Sequence, residues 1–164
     1  MDSDLWIQIL ELVVLLALSG FFSSAETAMV SVSKIRLRTL EEEGNKKAAL
    51  ALKILENQSK MLSAILIGNN LVNTSAASIA SVIAYSFGGA AVSIATFIIT
   101  FLILVFGEIT PKTWATINAD KLALAYAPII IFLMKILTPV IWFVNLFSSG
   151  ILKLMGIQDS NKNI

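Results

Sequence analysis

Neither cysteine nor histidine occurs in this chain of 164 residues. The first absence excludes disulfides, thiolate metal sites and thiol catalysis. The second removes the usual protein ligand for zinc, copper and iron. Charge is scarce as well. Asp, Glu, Lys and Arg make up 14% of the residues, where a soluble domain carries about 25%. The net charge of +1 gives no sign of a nucleic-acid partner. A basic region ahead of the first apolar segment is also missing. The chain opens with Asp2 and Asp4, so that segment reads as a retained span rather than a cleaved signal. No motif for substrate chemistry is present, and an enzyme is the least expected class. A Ser–Lys dyad would need Ser23 and Lys112 in contact.

What is abundant is apolar. Hydrophobic residues make up 57% of the chain, and the mean hydropathy is +0.83. The expected fold is all-α and membrane-integral. The remaining ligand atoms are oxygens of Ser, Thr, Asn, Asp, Glu and the backbone. Oxygen-only chemistry suits magnesium, calcium, sodium or potassium.

Three spans are expected, at about 5–33, 61–84 and 90–117. In the first, Ser19, Ser23 and Thr27 recur at i, i+4, i+8 and share one face. Gly20 and Ser24 form a small-xxx-small pair. Such faces let membrane helices approach closely, with hydroxyls bonding across the interface. Ser23 is open to either role, packing or cation lining. Residues 34–60 are the one long polar stretch. Lys34, Arg36, Arg38, Lys46, Lys47, Lys53 and Lys60 lie there, seven of the twelve basic residues. The positive-inside rule puts this stretch in the cytoplasm and the N-terminus outside. Gly44-Asn45 divides it into two short helices. In the second span Asn69 and Asn73 share a face that must look into protein or water. Interhelical hydrogen bonding alone would also account for them.

The third span ends in Gly107-Glu108-Ile109-Thr110-Pro111-Lys112. Pro111 has no N–H, and its ring crowds the carbonyl four residues back, that of Gly107. A bent helix would leave this oxygen beside the Glu108 carboxylate. Ionisable groups inside membrane helices usually face a cavity and mark a functional site. The plainer reading pairs Glu108 with Lys112 at i,i+4. Glu108 lies roughly 27 Å along its span, and the asparagines about 12–18 Å along theirs. Ser23 lies about 27 Å from Leu5 on the first span. With tilt, these depths are compatible with one cluster in the cytoplasmic half. Residues 121–155 carry Pro128, Lys135 and Pro139. A Pro-broken juxtamembrane belt or hairpin is expected there, because Lys135 is costly at mid-membrane. That keeps the C-terminus cytoplasmic. Residues 158–164 read as a polar tail.

Three stretches now resemble one family. Ser19-Gly20-Phe21-Phe22-Ser23-Ser24-Ala25-Glu26-Thr27-Ala28, Gly68-Asn69-Asn70-Leu71-Val72-Asn73 and Gly107-Glu108-Ile109-Thr110-Pro111-Lys112 look like the signatures of the CorC/CNNM (cyclin M) transmembrane domain. Each is weak alone, but three in order on three spans make a specific match over residues 1–157. The resemblance implies a magnesium transporter working in efflux, with sodium dependence, in the plasma membrane. It implies a homodimer, and cytoplasmic CBS domains that this stretch does not contain. Carried over by position, the metal site falls on Ser23, Asn69, Asn73 and Glu108, and the proline argument above adds the Gly107 backbone as a further ligand. Gly107, Pro111 and Lys112 would form the kink and gate, and Ser19, Gly20 and Ser24 the packing face. A passive cation channel and a scaffold whose polar residues only join helices stay open as alternatives.

Overall fold

A computed structural model describes residues 2–156, and all regular structure among them is helical. Eight α-helices and one π-helical segment follow in order. They are α1 (Asp2–Ser31), α2 (Lys34–Glu42), α3 (Lys46–Glu56), α4 (Gln58–Tyr85), α5 (Gly89–Leu102), the π segment (Ile103–Ile109), α6 (Thr110–Ile117), α7 (Ala119–Ile136) and α8 (Thr138–Leu154). The expected tail at 158–164 lies outside the described residues.

Two stretches are long and apolar enough to cross a membrane, Ser3–Ser31 and Gly89–Ile117, with 29 residues each. The second runs unbroken through α5, the π segment and α6. At 1.5 Å per residue, α4 is about 42 Å long, also enough to span. Its apolar character is diluted by Asn69, Asn70, Asn73 and several serines. The expected span at 61–84 is met in length, but α4 is not among the helices apolar enough to cross a membrane by composition. A third candidate by length and composition is α7 with α8, if that bent pair is one span.

The polar stretch is built by local caps. Ser33 Oγ accepts from the Arg36 N–H at 3.3 Å, and Asn45 Oδ1 accepts from the Ala48 N–H at 3.1 Å. Both satisfy donors that a helix start leaves free. Gly44 turns the chain between the two helices with φ of +94°. Asp120, at the start of α7, accepts from the Ser33 N–H and pairs with Arg36, each at 3.2 Å. This clamps the α1–α2 corner to α7.

The prolines of the C-terminal part act differently from one another. The chain bends by 64° between α7 and α8, just ahead of Pro139 in the first turn of α8. Pro128 sits inside α7 without ending it. A Pro-initiated helix gives up only an N–H that would be unbonded anyway. The break expected from both prolines thus comes at one.

The main core lies where α1, α3, α4 and α7 meet. Phe22, Ala25 and Met29 of α1 pack with Ala48, Ala51 and Ile54 of α3, Met61, Ala64 and Ile65 of α4, and Ala123, Ala127 and Ile130 of α7. Alanine at so many of these positions lets the helix backbones come close. The opposite faces are apolar and open. Trp6, Phe97 and Phe101 are all exposed, as expected of surfaces that meet lipid. Thr96, Thr100, Thr113 and Thr116 each donate to the carbonyl four residues back. Their hydroxyls are therefore satisfied without water.

Tyr126 fastens α7 to α1. Its ring sits edge-on to Phe21 at 4.9 Å, and its hydroxyl lies 3.1 Å from Ser24 Oγ. Ser24 itself donates to the Phe21 carbonyl at 2.9 Å. Tyr126→Phe should cost about 1 kcal/mol, and Tyr126→Ala distinctly more, read as thermal unfolding in detergent. Equal losses from the two would mean that the ring contributes nothing.

Candidate cation site

The polar residues of α1, α4 and the π segment converge on one carboxylate. Glu108 Oε1 accepts from Asn69 Nδ2 at 3.3 Å and from Asn73 Nδ2 at 3.5 Å. Asn69 and Asn73 are one turn apart on α4, so both amides reach the same oxygen. Asn69 Oδ1 in turn accepts from Ser19 Oγ at 3.4 Å. A chain of polar groups thus runs from α1 through α4 to the π segment. Glu108 Oε2 faces the other way, 3.8 Å from Lys112 Nζ. The same ammonium lies 3.8 Å from Glu26 Oε2 on α1. The Glu108 side chain is 25% exposed, against 40% for Glu26 and 42% for Lys112. The ion pairs form the mouth, and the amides lie behind them.

Two oxygens in this region have no partner. Ser23 Oγ and Asn73 Oδ1 are buried and accept or donate no hydrogen bond within the protein. Buried polar atoms are nearly always paired, so each unpaired one needs an explanation. Both are the kind of oxygen that a hard cation takes. Among the described residues no group of three or more His, Cys, Asp or Glu side chains could hold a metal ion. A cation here would therefore depend on hydroxyl, amide and backbone oxygens around one carboxylate.

The helix is not simply bent at Gly107, as the proline alone suggested. It widens into a π segment over Ile103–Ile109, and the Thr110 N–H reaches back to the Val105 carbonyl, five residues away. Such wide turns are rare and often lie at functional sites. Pro111 supplies one cause, since it cannot donate to the Gly107 carbonyl. Close packing on α1 accompanies it. A Cβ on Gly107 would stand 2.5 Å from Ser19 Oγ, and one on Gly20 would stand 3.0 Å from the Phe106 carbonyl oxygen. The two helices meet through glycines, each against the other's polar atoms.

The structure thus gathers Asn69, Asn73, Glu108 and Lys112 into direct contact, and seats Gly107 on Ser19. Ser23 is fully buried on α1, one turn beyond Ser19, but bonds to none of them. Of the expected packing residues, Gly20 and Ser24 do pack, Ser24 toward Tyr126. Ser19 does more, because its hydroxyl belongs to the polar chain. Glu26 was missed. Its signal was spacing, since Ser19, Ser23 and Glu26 fall at i, i+4, i+7 on one helix face.

A bundle of apolar-faced helices closing over one carboxylate and its amides fits an integral membrane protein. The cyclin M transmembrane N-terminal domain family matches residues 10–164. The chain belongs to this family, CorC/CNNM. It is similar to a UPF0053 protein of Haemophilus influenzae, 44% identical over 93% of this chain and 37% of that protein. It is similar to the UPF0053 inner membrane protein YfjD of Escherichia coli, 34% identical over 86% of this chain and 33% of that one. A polyamine export protein of Haemophilus influenzae is 29% identical over 96% of this chain and 40% of its own length. The chain therefore spans between a third and two fifths of these relatives. The family and its inner-membrane relative agree with the apolar helices on a membrane location.

The tight seat at Gly107 yields a test. Gly107→Ala should cost about 1–3 kcal/mol by overpacking, and Ser19→Ala in the same chain should recover part of it. Thermal unfolding of the two variants and wild type decides this. No recovery would place the strain elsewhere.

Proposed function

We propose that this chain forms the membrane pathway of a magnesium transporter that works by alternating access, with sodium as the coupling ion. Glu108 would be the charged ligand, joined by Asn69, Asn73, Ser23 and the Gly107 carbonyl. The observation that carries the reading is the set of buried oxygens without partners beside a carboxylate whose inner oxygen is held by amide donors. The amide N–H groups and the Lys112 ammonium compensate the carboxylate when no cation is there. Turning the amides would present oxygen in place of N–H. One carboxylate leaves a bound divalent ion with surplus positive charge, which favours release, as transport requires. Magnesium prefers six oxygens at about 2.0–2.1 Å and keeps several waters, so water would complete its shell.

The proposal extends to the setting of the site. The N-terminus lies outside, α2 and α3 lie in the cytoplasm, and α7 with α8 forms a belt along the membrane surface. The protein works as a homodimer in the plasma membrane, with cytoplasmic CBS domains in the full-length protein. The Gly107–Pro111 segment and Lys112 move as the site changes its access.

A second reading has its own support. One relative is a polyamine export protein, and here an alkylammonium, that of Lys112, already lies between Glu26 and Glu108. An organic polycation would then be the cargo.

Flux into proteoliposomes separates these readings. Saturable magnesium uptake that depends on a sodium gradient, and that Glu108→Gln abolishes, is expected. Ser23→Ala and Asn73→Ala should each weaken apparent affinity about tenfold, or about 1.4 kcal/mol. Full saturable transport in Glu108→Gln would sink the site. Sodium-independent rapid flux would favour a channel, and spermidine in place of magnesium would favour the second reading. No flux of either cargo, with Glu108→Gln tolerated, would favour a scaffold.

A further inference from the structure

Glu26 has no place among the proposed ligands, yet it touches the same lysine as Glu108. The Lys112 ammonium lies 3.8 Å from Glu26 Oε2 and 3.8 Å from Glu108 Oε2. Charge-assisted N–H···O bonds close to about 2.7–2.9 Å. The ammonium is therefore shared between two carboxylates and bonded tightly to neither. The carboxylates come from different elements, Glu26 from α1 and Glu108 from the π segment. Lys112 stands on α6, one turn beyond Glu108, on a long stem that lets its charge move by several ångströms. Glu108 divides its two oxygens. Oε1 takes the amides, and Oε2 faces the ammonium.

We infer that Lys112 is a tethered counter-cation for the pocket and that Glu26 is its alternative partner. A cation entering at Glu108 transfers the ammonium to Glu26. The inference rests on the cation pocket proposed above and adds what sets its affinity. With the pocket empty, Glu26, Glu108 and Lys112 together carry a charge of −1. A divalent cation takes this to +1. Without Glu26 the same step runs from 0 to +2, with two cations pressed on one carboxylate. Glu26 thus gives Lys112 somewhere to go. It is a positioning residue, acting on the cargo through Lys112. The transfer also draws α6 toward α1 across the mouth, so occupancy changes a contact between two helices.

The expected pattern is specific. Lys112→Met keeps the stem and removes the competitor, so magnesium should bind at least threefold more tightly. Glu26→Gln leaves the ammonium with Glu108 alone, so magnesium should bind at least threefold more weakly. The decisive variant carries both changes. With no ammonium to hold, loss of Glu26 should have little effect, and the double variant should match Lys112→Met. If Glu26 acts only through its negative charge, the weakening persists in the double variant, and the inference is overturned.

Titration calorimetry with magnesium on the purified protein reads these affinities, and proteoliposome flux separates KM from the maximal rate. Should Lys112→Met fail to fold in a melting assay, Lys112→Gln replaces it and the same pattern is required. Unchanged affinity in a folded Lys112 variant also overturns the inference. Glu108→Gln tells its failure from that of the site. Loss of binding there with no effect at Lys112 or Glu26 leaves the pocket standing and removes only the exchange. Retained binding in Glu108→Gln removes both.

Discussion

A carboxylate inside a membrane helix bundle has to be kept from lipid, and this chain is arranged to do so for Glu108. An isolated buried charge is too costly to tolerate. Two amide donors from α4 and a lysine ammonium one turn away share the task. The asparagines can reach only if α4 lies against the π segment and α1, so those faces are small or polar. Ser19, Gly20, Ser23 and Ala25 line α1, and Gly68, Val72 and Ala76 line α4. The lower hydropathy of α4 follows from the same need. It is the helix that brings amides to the charge, and its polar side is covered by neighbours.

The π segment serves this arrangement. Gly107 and Glu108 are adjacent in sequence but serve different neighbours. Gly107 must meet α1 so closely that Ser19 leaves no room for a methyl group. Glu108 must meet α4. The widened turn rests on one residue that removes a donor, Pro111, and one that removes a side chain, Gly107. Backbone polar groups at membrane depth have to be satisfied within protein. The five-residue bond from Thr110 to Val105 does this where the four-residue pattern is interrupted.

Much of this was legible in the sequence. The helical pattern, the turn at Gly44 and the bend before Pro139 follow from local chemistry, because glycine and proline restrict the chain wherever they stand. The grouping of Asn69, Asn73 and Glu108 followed from cost, since amides and a carboxylate in apolar surroundings have to find one another. The widened turn was less legible. Proline announces a missing hydrogen bond but not how the backbone repairs it. Pro128 shows the limit, because its helix continues while packed on α1, α3 and α4. The polar partner of Ser19 and the role of Glu26 were not legible, for a related reason. A hydroxyl on a small face serves packing and polar bonding alike, and only the partner helix decides between them. Glu26 needed the distance between α1 and α6, which no local pattern carries.

The two kinds of cargo would draw on different parts of the same site. A small hard ion needs several oxygens directed inward, and the unpaired ones, Ser23 Oγ and Asn73 Oδ1, are buried. An ammonium is satisfied by carboxylates and carbonyls at hydrogen-bonding range and needs no closed shell. Glu26 and the outward oxygen of Glu108 offer that at the mouth, where Lys112 lies. A long polyamine would compete with Lys112 alone, whereas magnesium would also have to displace the amide donors from Glu108. Reorganising those amides makes the bound state depend on the seating of α4 against the π segment. A cation that only exchanges with Lys112 leaves that seating alone. Movement of α4 relative to Glu108 would thus be the physical difference between a pocket that carried magnesium and a mouth that passed amines.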